Sequence, residues 1–369
     1  MPPRIVPQTV SSLDRAIGQH RRAVANLFDF VVRGGLADRQ RMPSTVIDTG
    51  RVRTVHRYLP LDAVPAAGRP VLLVPALGAQ AAAFDLRRGN SLVEHLLSTG
   101  RPAYLVDYGP IGWADRDLGF EFWINEVLPR AIAAVSADAG GEPVHLAGWC
   151  MGGLIALGAV AIDPALPVSS VAMIGSPFDL SKHPVLVPVQ KVAGLTRGHV
   201  LGTAFRVLGG APGWLLSPAF KATSPRTYLK KPLTLLKYRD DRDFLAHVEA
   251  VDELMNSMYA YPGRATLQFY HRLAVRNELA SGTIQGPNTE VRLADVRVPV
   301  MNVAGQADAL VPVAVAHHVG DLLPNAPQVR LEIAPGGHLG VLTGRSAATS
   351  TWPMLDDFFA QHDAGGGGT

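Results

Sequence analysis

The 369 residues carry 34 Lys and Arg against 31 Asp and Glu, a net charge of +3 with a pI near 9.1. That basic load is too small to neutralise a phosphate backbone over such a length, so nucleic acid is excluded as an expected partner. Hydrophobic residues at 47%, charged residues at 18% and a mean hydropathy of +0.15 exclude a disordered or fibrous chain. A single cysteine excludes an intrachain disulfide and any zinc site built on paired cysteines, and no metal site is expected.

In chain order, residues 1–60 read as an N-terminal helix and lead-in segment with ten Arg and four Asp. Ser11 with Asp14 gives a capping-box signature, and an apolar period follows over 13–32, which predicts an amphipathic helix. Two readings of its arginines stand side by side: a solvated helix packed on the core, and contact with an anionic or lipid-granule surface. The first residues lack the apolar stretch of a secretory signal, so a cytoplasmic protein is expected.

From residue 71 short apolar runs at 71–75, 103–107, 144–148, 170–175, 298–305 and 329–334 predict buried parallel strands. Helix-like segments at 92–99, 120–137, 151–162, 313–323 and 352–361 lie among them, and the alternation predicts a doubly wound, mostly parallel α/β sheet. The uncharged run 146–162 is short for a membrane span and broken by Gly148, Trp149, Gly152, Gly153 and Gly158, so it reads as core. The core is expected over 61–176 and 291–369. Between them, 177–290 breaks the alternation, holds all six lysines and carries turn signals such as Pro212-Gly213 and Pro262-Gly263. It reads as a mainly helical cap. The glycines at 365–368 read as a flexible end.

The sharpest local feature is Gly148-Trp149-Cys150-Met151-Gly152-Gly153, directly after a predicted strand and before a predicted helix. Small flanking residues permit a strained turn that lifts a nucleophile above the sheet, here with cysteine in the serine position. A thiol at a helix N-terminus is favoured as thiolate by the macrodipole and the free N–H groups. Where such elbows occur, the acid follows a late strand and the histidine the last one. Asp308 and His338 occupy those slots in order, although Asp308 also suits a turn or N-cap role. His317 and His318 fall inside a predicted helix and read as structural. The oxyanion hole is expected from the Met151 N–H and either Ala76 or Leu77 in the turn 75–78. A cysteine acyl-enzyme is itself a thioester, so exchange with acyl-coenzyme A is nearly balanced and transfer to an alcohol is a natural use of the triad.

These residues resemble the polyhydroxyalkanoate synthases, particularly the short class whose catalytic subunit works with a companion. The resemblance spans about residues 70–360. It includes Phe84-Asp85-Leu86-Arg87 with Asn90-Ser91-Leu92-Val93, Tyr104-Leu105-Val106-Asp107-Tyr108-Gly109, the elbow, Val291-Arg292-Leu293-Ala294-Asp295-Val296, and Gly336-Gly337-His338-Leu339-Gly340. It implies an α/β-hydrolase fold and polymerisation of 3-hydroxyacyl-coenzyme A, with the polyester held on Cys150 and coenzyme A released. Coenzyme A thioester would be the substrate, with no resident cofactor. The implied partners are a companion synthase subunit or a second copy, and a polyester or lipid granule. Family members commonly carry a histidine where this chain has Ala309, and larger polar and aromatic residues in the loop 79–83. Those departures keep a cysteine-dependent esterase, lipase or depolymerase as the alternative.

Overall fold

A computed structural model describes residues 8–32, 34–184, 210–222, 225–285 and 290–363. The strands are β1 (Ser44–Gly50), β2 (Arg53–Tyr58), β3 (Val71–Val74), β4 (Ala103–Asp107), β5 (Val144–Trp149), β6 (Val168–Ile174), β7 (Gly210–Ala211), β8 (Tyr261–Pro262), β9 (Thr283–Gln285), β10 (Glu290–Arg292), β11 (Val300–Gly305) and β12 (Val329–Ala334). Eight of them form one sheet in the order β1-β2-β4-β3-β5-β6-β11-β12, while β7 pairs with β8 and β9 with β10. From β4 through β12 every pairing in the large sheet is parallel, and β2, antiparallel to both β1 and β4, alone runs against the others. A parallel sheet must be covered on both faces, which is why β3, β5 and β11 are buried along their whole lengths and read as unbroken apolar runs.

The longer helices are α1 (Gln8–Val32), α2 (Leu92–Ser98), α3 (Leu128–Asp138), α4 (Met151–Ile162), α5 (Gly213–Ala222), α6 (Pro225–Lys237), α7 (Arg242–Asn256) and α8 (Thr351–Gln361). Helix α4 is apolar all round and almost wholly buried, as a helix crossing the centre of the fold must be. Helix α1 already includes Gln8, so Ser11 lies within the helix and not ahead of it as the capping-box reading expected. The segment expected as one helix over 120–137 is helical from Phe120 to Asp138 but passes through a π-turn at Trp123–Val127, which seats Trp123, Ile124 and Val127 in the core. The helix expected over 313–323 is a single α-turn continued as 3-10 helix to Asp321.

Two strands lie in the stretch read from sequence as a strandless lead-in. β1 and β2 form a hairpin, and β2 joins the sheet edge by pairing with β4, Val55 opposite Val106. β1 is exposed or half-buried throughout, and β2 roughly alternates between sheltered and open positions, with Arg53, Thr54 and Arg57 breaking any apolar run.

Between β6 and β11 the described chain is mainly helical. Helix α7 is tied to the core by Asp243, whose carboxylate meets Arg87 at 2.6 Å and Arg345 at 3.3 Å. Helix α1 docks against the start of the same helix through Asp29 and Arg242, and Asn26 donates to the Arg239 carbonyl at 3.0 Å. Lys191 and the glycines at 365–368 lie outside the described residues. No helix among the described residues is long and apolar enough to cross a membrane.

Candidate active site

Cys150 stands between the end of β5 and the start of α4 with φ 54° and ψ −116°. A residue with a Cβ is held there only when its surroundings dictate it. They do so through tight backbone packing. A Cβ on Gly148 would lie 2.5 Å from the Gly153 backbone, one on Gly152 would overlap the Val74 carbonyl at the tip of β3, and one on Gly153 would overlap the Ser176 hydroxyl. Hydrogen bonds fix the turn: the Cys150 N–H donates to Ile174 on β6 at 2.9 Å, and its carbonyl accepts from Ser176 Oγ at 2.7 Å.

Asp308 follows β11 and His338 follows β12, and the two loops are joined by a bond from the Ala307 N–H to the Gly336 carbonyl at 2.9 Å. Gly336 has φ 125°, a conformation that excludes side chains and lets the loop bring His338 back over the strand ends. The Asp308 carboxylate is shared between the turn and His338. Its Oδ1 accepts from the Leu310 and Val311 N–H groups at 2.8 and 2.7 Å, while its Oδ2 faces His338 Nδ1 at 2.8 Å. That contact directs the other ring nitrogen away from the carboxylate, the arrangement needed to exchange a proton with a thiol.

Cys150, Asp308 and His338 are all largely buried. Burial alone would lower the proton affinity of His338, but the neighbouring Cys150 sulfur and the Asp308 carboxylate outweigh it and lift its pKa well above the ordinary imidazole range.

A cavity of about 260 Å³ opens over the cysteine. Ala76, Leu77, Cys150 and His338 line it together with Val251, Leu254 and Met255 from α7. The structure thus brings both proposed oxyanion loop residues to the nucleophile. Among the described loop bonds neither the Ala76 nor the Leu77 N–H finds a backbone acceptor, and Met151, as first residue of α4, has an N–H that no intrahelical carbonyl can reach. His317 and His318 lie elsewhere, bonded to the carbonyls of Glu332 and Ala280.

Three neighbours escaped the sequence reading. The Trp149 indole donates to the His338 carbonyl, Ser176 braces the elbow, and Tyr261 from β8 closes the cavity. Trp149 stands inside the elbow motif, but nothing local marked its partner; Tyr261 carries no signal at all. Among the described residues no group of three or more His, Cys, Asp or Glu could hold a metal ion.

Comparison with known proteins matches residues 69–345 to the alpha/beta hydrolase fold family. The chain belongs to that family. In this sheet Cys150 follows β5, Asp308 follows β11 and His338 follows β12. The resemblance to polyhydroxyalkanoate synthases is also borne out. This α/β hydrolase is 26% identical over 303 residues to the poly(3-hydroxyalkanoate) polymerase subunit PhaC of Allochromatium vinosum, covering 82% of this chain and 83% of that one. The protein of the same name from a Synechocystis species is 26% identical over 296 residues, covering 79% and 78% of the two chains. That of Haloferax mediterranei is 23% identical over 300 residues, and the match covers 80% of this chain but 60% of the longer haloarchaeal one.

Proposed function

We propose that this α/β hydrolase is an acyltransferase that polymerises 3-hydroxyacyl-coenzyme A into polyester through a thioester on Cys150. The single observation carrying the reading is a cysteine at the elbow, facing a mostly apolar cavity beside the hydrogen-bonded His338–Asp308 pair. The names of the curated relatives point the same way.

In the first half-reaction His338 takes the thiol proton as the sulfur attacks the thioester carbonyl. The oxyanion forms against the Met151 N–H and that of Ala76 or Leu77, and coenzyme A leaves with the proton. The carbon–sulfur bond to Cys150 replaces the one to coenzyme A, so little energy separates the two thioesters. In the second half-reaction the hydroxyl of another 3-hydroxyacyl unit gives its proton to His338 and attacks the Cys150 thioester, forming an ester and freeing the thiol. Asp308 keeps the imidazole oriented throughout and stabilises its charged form. Water is the competing acceptor, and the described helical residues between β6 and β11, acting as a cap, would exclude it.

Coenzyme A thioester is then substrate, with no resident cofactor required. The exposed face of α1 carries Leu27, Phe28 and Val31 with Arg21 and Arg22, and Leu229 and Leu233 are exposed on α6. Those side chains suit a companion subunit, a second copy or a granule surface in the cytoplasm.

Ala309 and the small residues of loop 79–83 favour a second reading, a cysteine-dependent esterase, lipase or depolymerase. Thiol release from 3-hydroxybutyryl-coenzyme A and a longer 3-hydroxyacyl-coenzyme A, with product sizing, separates the two. Oligomeric ester that disappears with Cys150→Ser is expected. Free hydroxyacid alone would make the protein a hydrolase.

A further inference from the structure

Most polar groups on the wall of the Cys150 cavity are already engaged. Gln80 Nε2 donates to the Ser257 carbonyl at 2.7 Å, Trp149 Nε1 to the His338 carbonyl at 3.1 Å, and His338 Nδ1 pairs with Asp308. Tyr228 on α6 lines the same cavity but is partly exposed, within reach of water.

Tyr261 differs from all of these. It is 9% exposed, it lines the cavity, and among the described residues its hydroxyl has no hydrogen-bond partner. The side chain is held in place. Its backbone pairs with Ala211 in the β7–β8 ladder, and its ring lies so close over Gly78 that a Cβ there would collide with it. The Tyr259 N–H donates to the Gly78 carbonyl at 2.8 Å, which ties the same segment to the loop carrying Ala76 and Leu77. Burial first, and the nearby Cys150 second, push the phenol far above its usual range, so it remains a donor. A fixed O–H on the wall of a mostly apolar cavity, with no acceptor from the described residues, is placed to donate to a bound ligand.

The backbone N–H groups at the elbow serve the thioester carbonyl, and the walls beyond them are aliphatic: Leu77, Val251, Leu254, Met258, Leu310 and Leu339. A polar atom farther along a bound acyl chain therefore meets Tyr261. We infer that the Tyr261 hydroxyl donates to the 3-hydroxyl oxygen of the acyl group on Cys150, making Tyr261 the residue that selects hydroxylated over plain acyl chains. This inference rests on the acyl-transfer reading above. A site that hydrogen-bonds a substrate hydroxyl discriminates strongly against the analogue lacking it, whereas an aliphatic wall discriminates weakly.

The test compares 3-hydroxybutyryl-coenzyme A with butyryl-coenzyme A, following Cys150 acylation by intact mass and coenzyme A release, in the wild type and in Tyr261→Phe. Phenylalanine keeps the ring over Gly78, so an unchanged melting temperature is the control for folding. For the hydroxylated substrate kcat/KM should fall about 10- to 100-fold, with a change below about twofold for the plain one, so that the preference collapses. Equal losses on both substrates, or no loss on either, would overturn the inference while leaving acyl transfer intact. Absence of wild-type acylation by either thioester would instead overturn the acyl-transfer reading itself.

Discussion

The indole of Trp149 donates from Nε1 to the backbone carbonyl of His338 at 3.1 Å, and the two rings lie 5.4 Å apart, tilted by 37°. The residue before the nucleophile therefore holds the loop that carries the base. The support matters because Pro335-Gly336-Gly337 gives that loop little stiffness of its own. Trp149→Phe keeps an aromatic neighbour and removes the bond. It should lower kcat by on the order of tenfold with KM nearly unchanged, since a small misplacement of a base is expensive in rate. The pH dependence of kcat should shift as well. A variant with wild-type kcat and pH profile would show that the loop positions itself.

Asp308 divides its two oxygens between structure and chemistry, and two substitutions separate them. Asparagine retains an acceptor for the Leu310 and Val311 N–H groups but cannot hold the imidazole as a charge partner. Asp308→Asn should lose on the order of 10³-fold or more in acylation rate with little change in stability. Asp308→Ala should lose activity similarly and also about 2 kcal/mol of stability, because two backbone donors are left without an acceptor. Equal melting temperatures for the two variants would refute the division.

Gly152 sits where the first turn of α4 passes the end of β3. A methyl group there would overlap the Val74 carbonyl and approach Pro75, both backbone neighbours that cannot rotate aside. Gly152→Ala should cost about 2–3 kcal/mol in urea unfolding and slow alkylation of Cys150 by iodoacetamide as the elbow shifts. Wild-type stability together with wild-type alkylation would show that the elbow has slack.

His145 provides an acid-sensitive element far from the site. Its ring is fully buried, bonded to Ser170 Oγ at 2.7 Å and Asp363 Oδ1 at 3.1 Å, and stacked on Phe359. Burial, only partly opposed by Asp363, lowers its pKa from 6.5 to about 4. Between those values the unfolded chain binds the proton and the folded chain does not, so stability is fully present above the upper value and falls as the pH drops through the window. The loss from pH 7 to pH 4.5 is about 2–3 kcal/mol. Asp363, which Arg101 holds below the usual carboxylate range against the effect of burial, adds a loss of the same sign at still lower pH. His247, lowered to about 4 mainly by burial, acts in the same direction. Urea titrations at pH 7 and 4.5 should show a dependence flatter by that amount in His145→Gln. Equal pH dependence in both proteins would contradict the assignment.

The central strands were legible because they are buried on both faces, so β3, β4, β5 and β11 appear as continuous apolar runs. The candidate triad was legible because Cys150 and Asp308 follow two of those runs and His338 follows the apolar-rich β12, each near glycine. The β1–β2 hairpin was not, since a strand on the sheet margin needs only half its residues sheltered and tolerates arginine and threonine on the other half. The sequence by itself determined the parallel core, the strained cysteine turn and the chain order of the candidate residues Cys150, Asp308 and His338, because each is written in neighbouring residues through backbone sterics and burial. Only the tertiary structure decided that Trp149 braces His338, that Tyr261 covers Gly78 and that α7 walls the cavity. Those contacts join residues far apart in the chain. They arise from strand register and from the way the segment between β6 and β11 folds back over the sheet, neither of which leaves a local pattern.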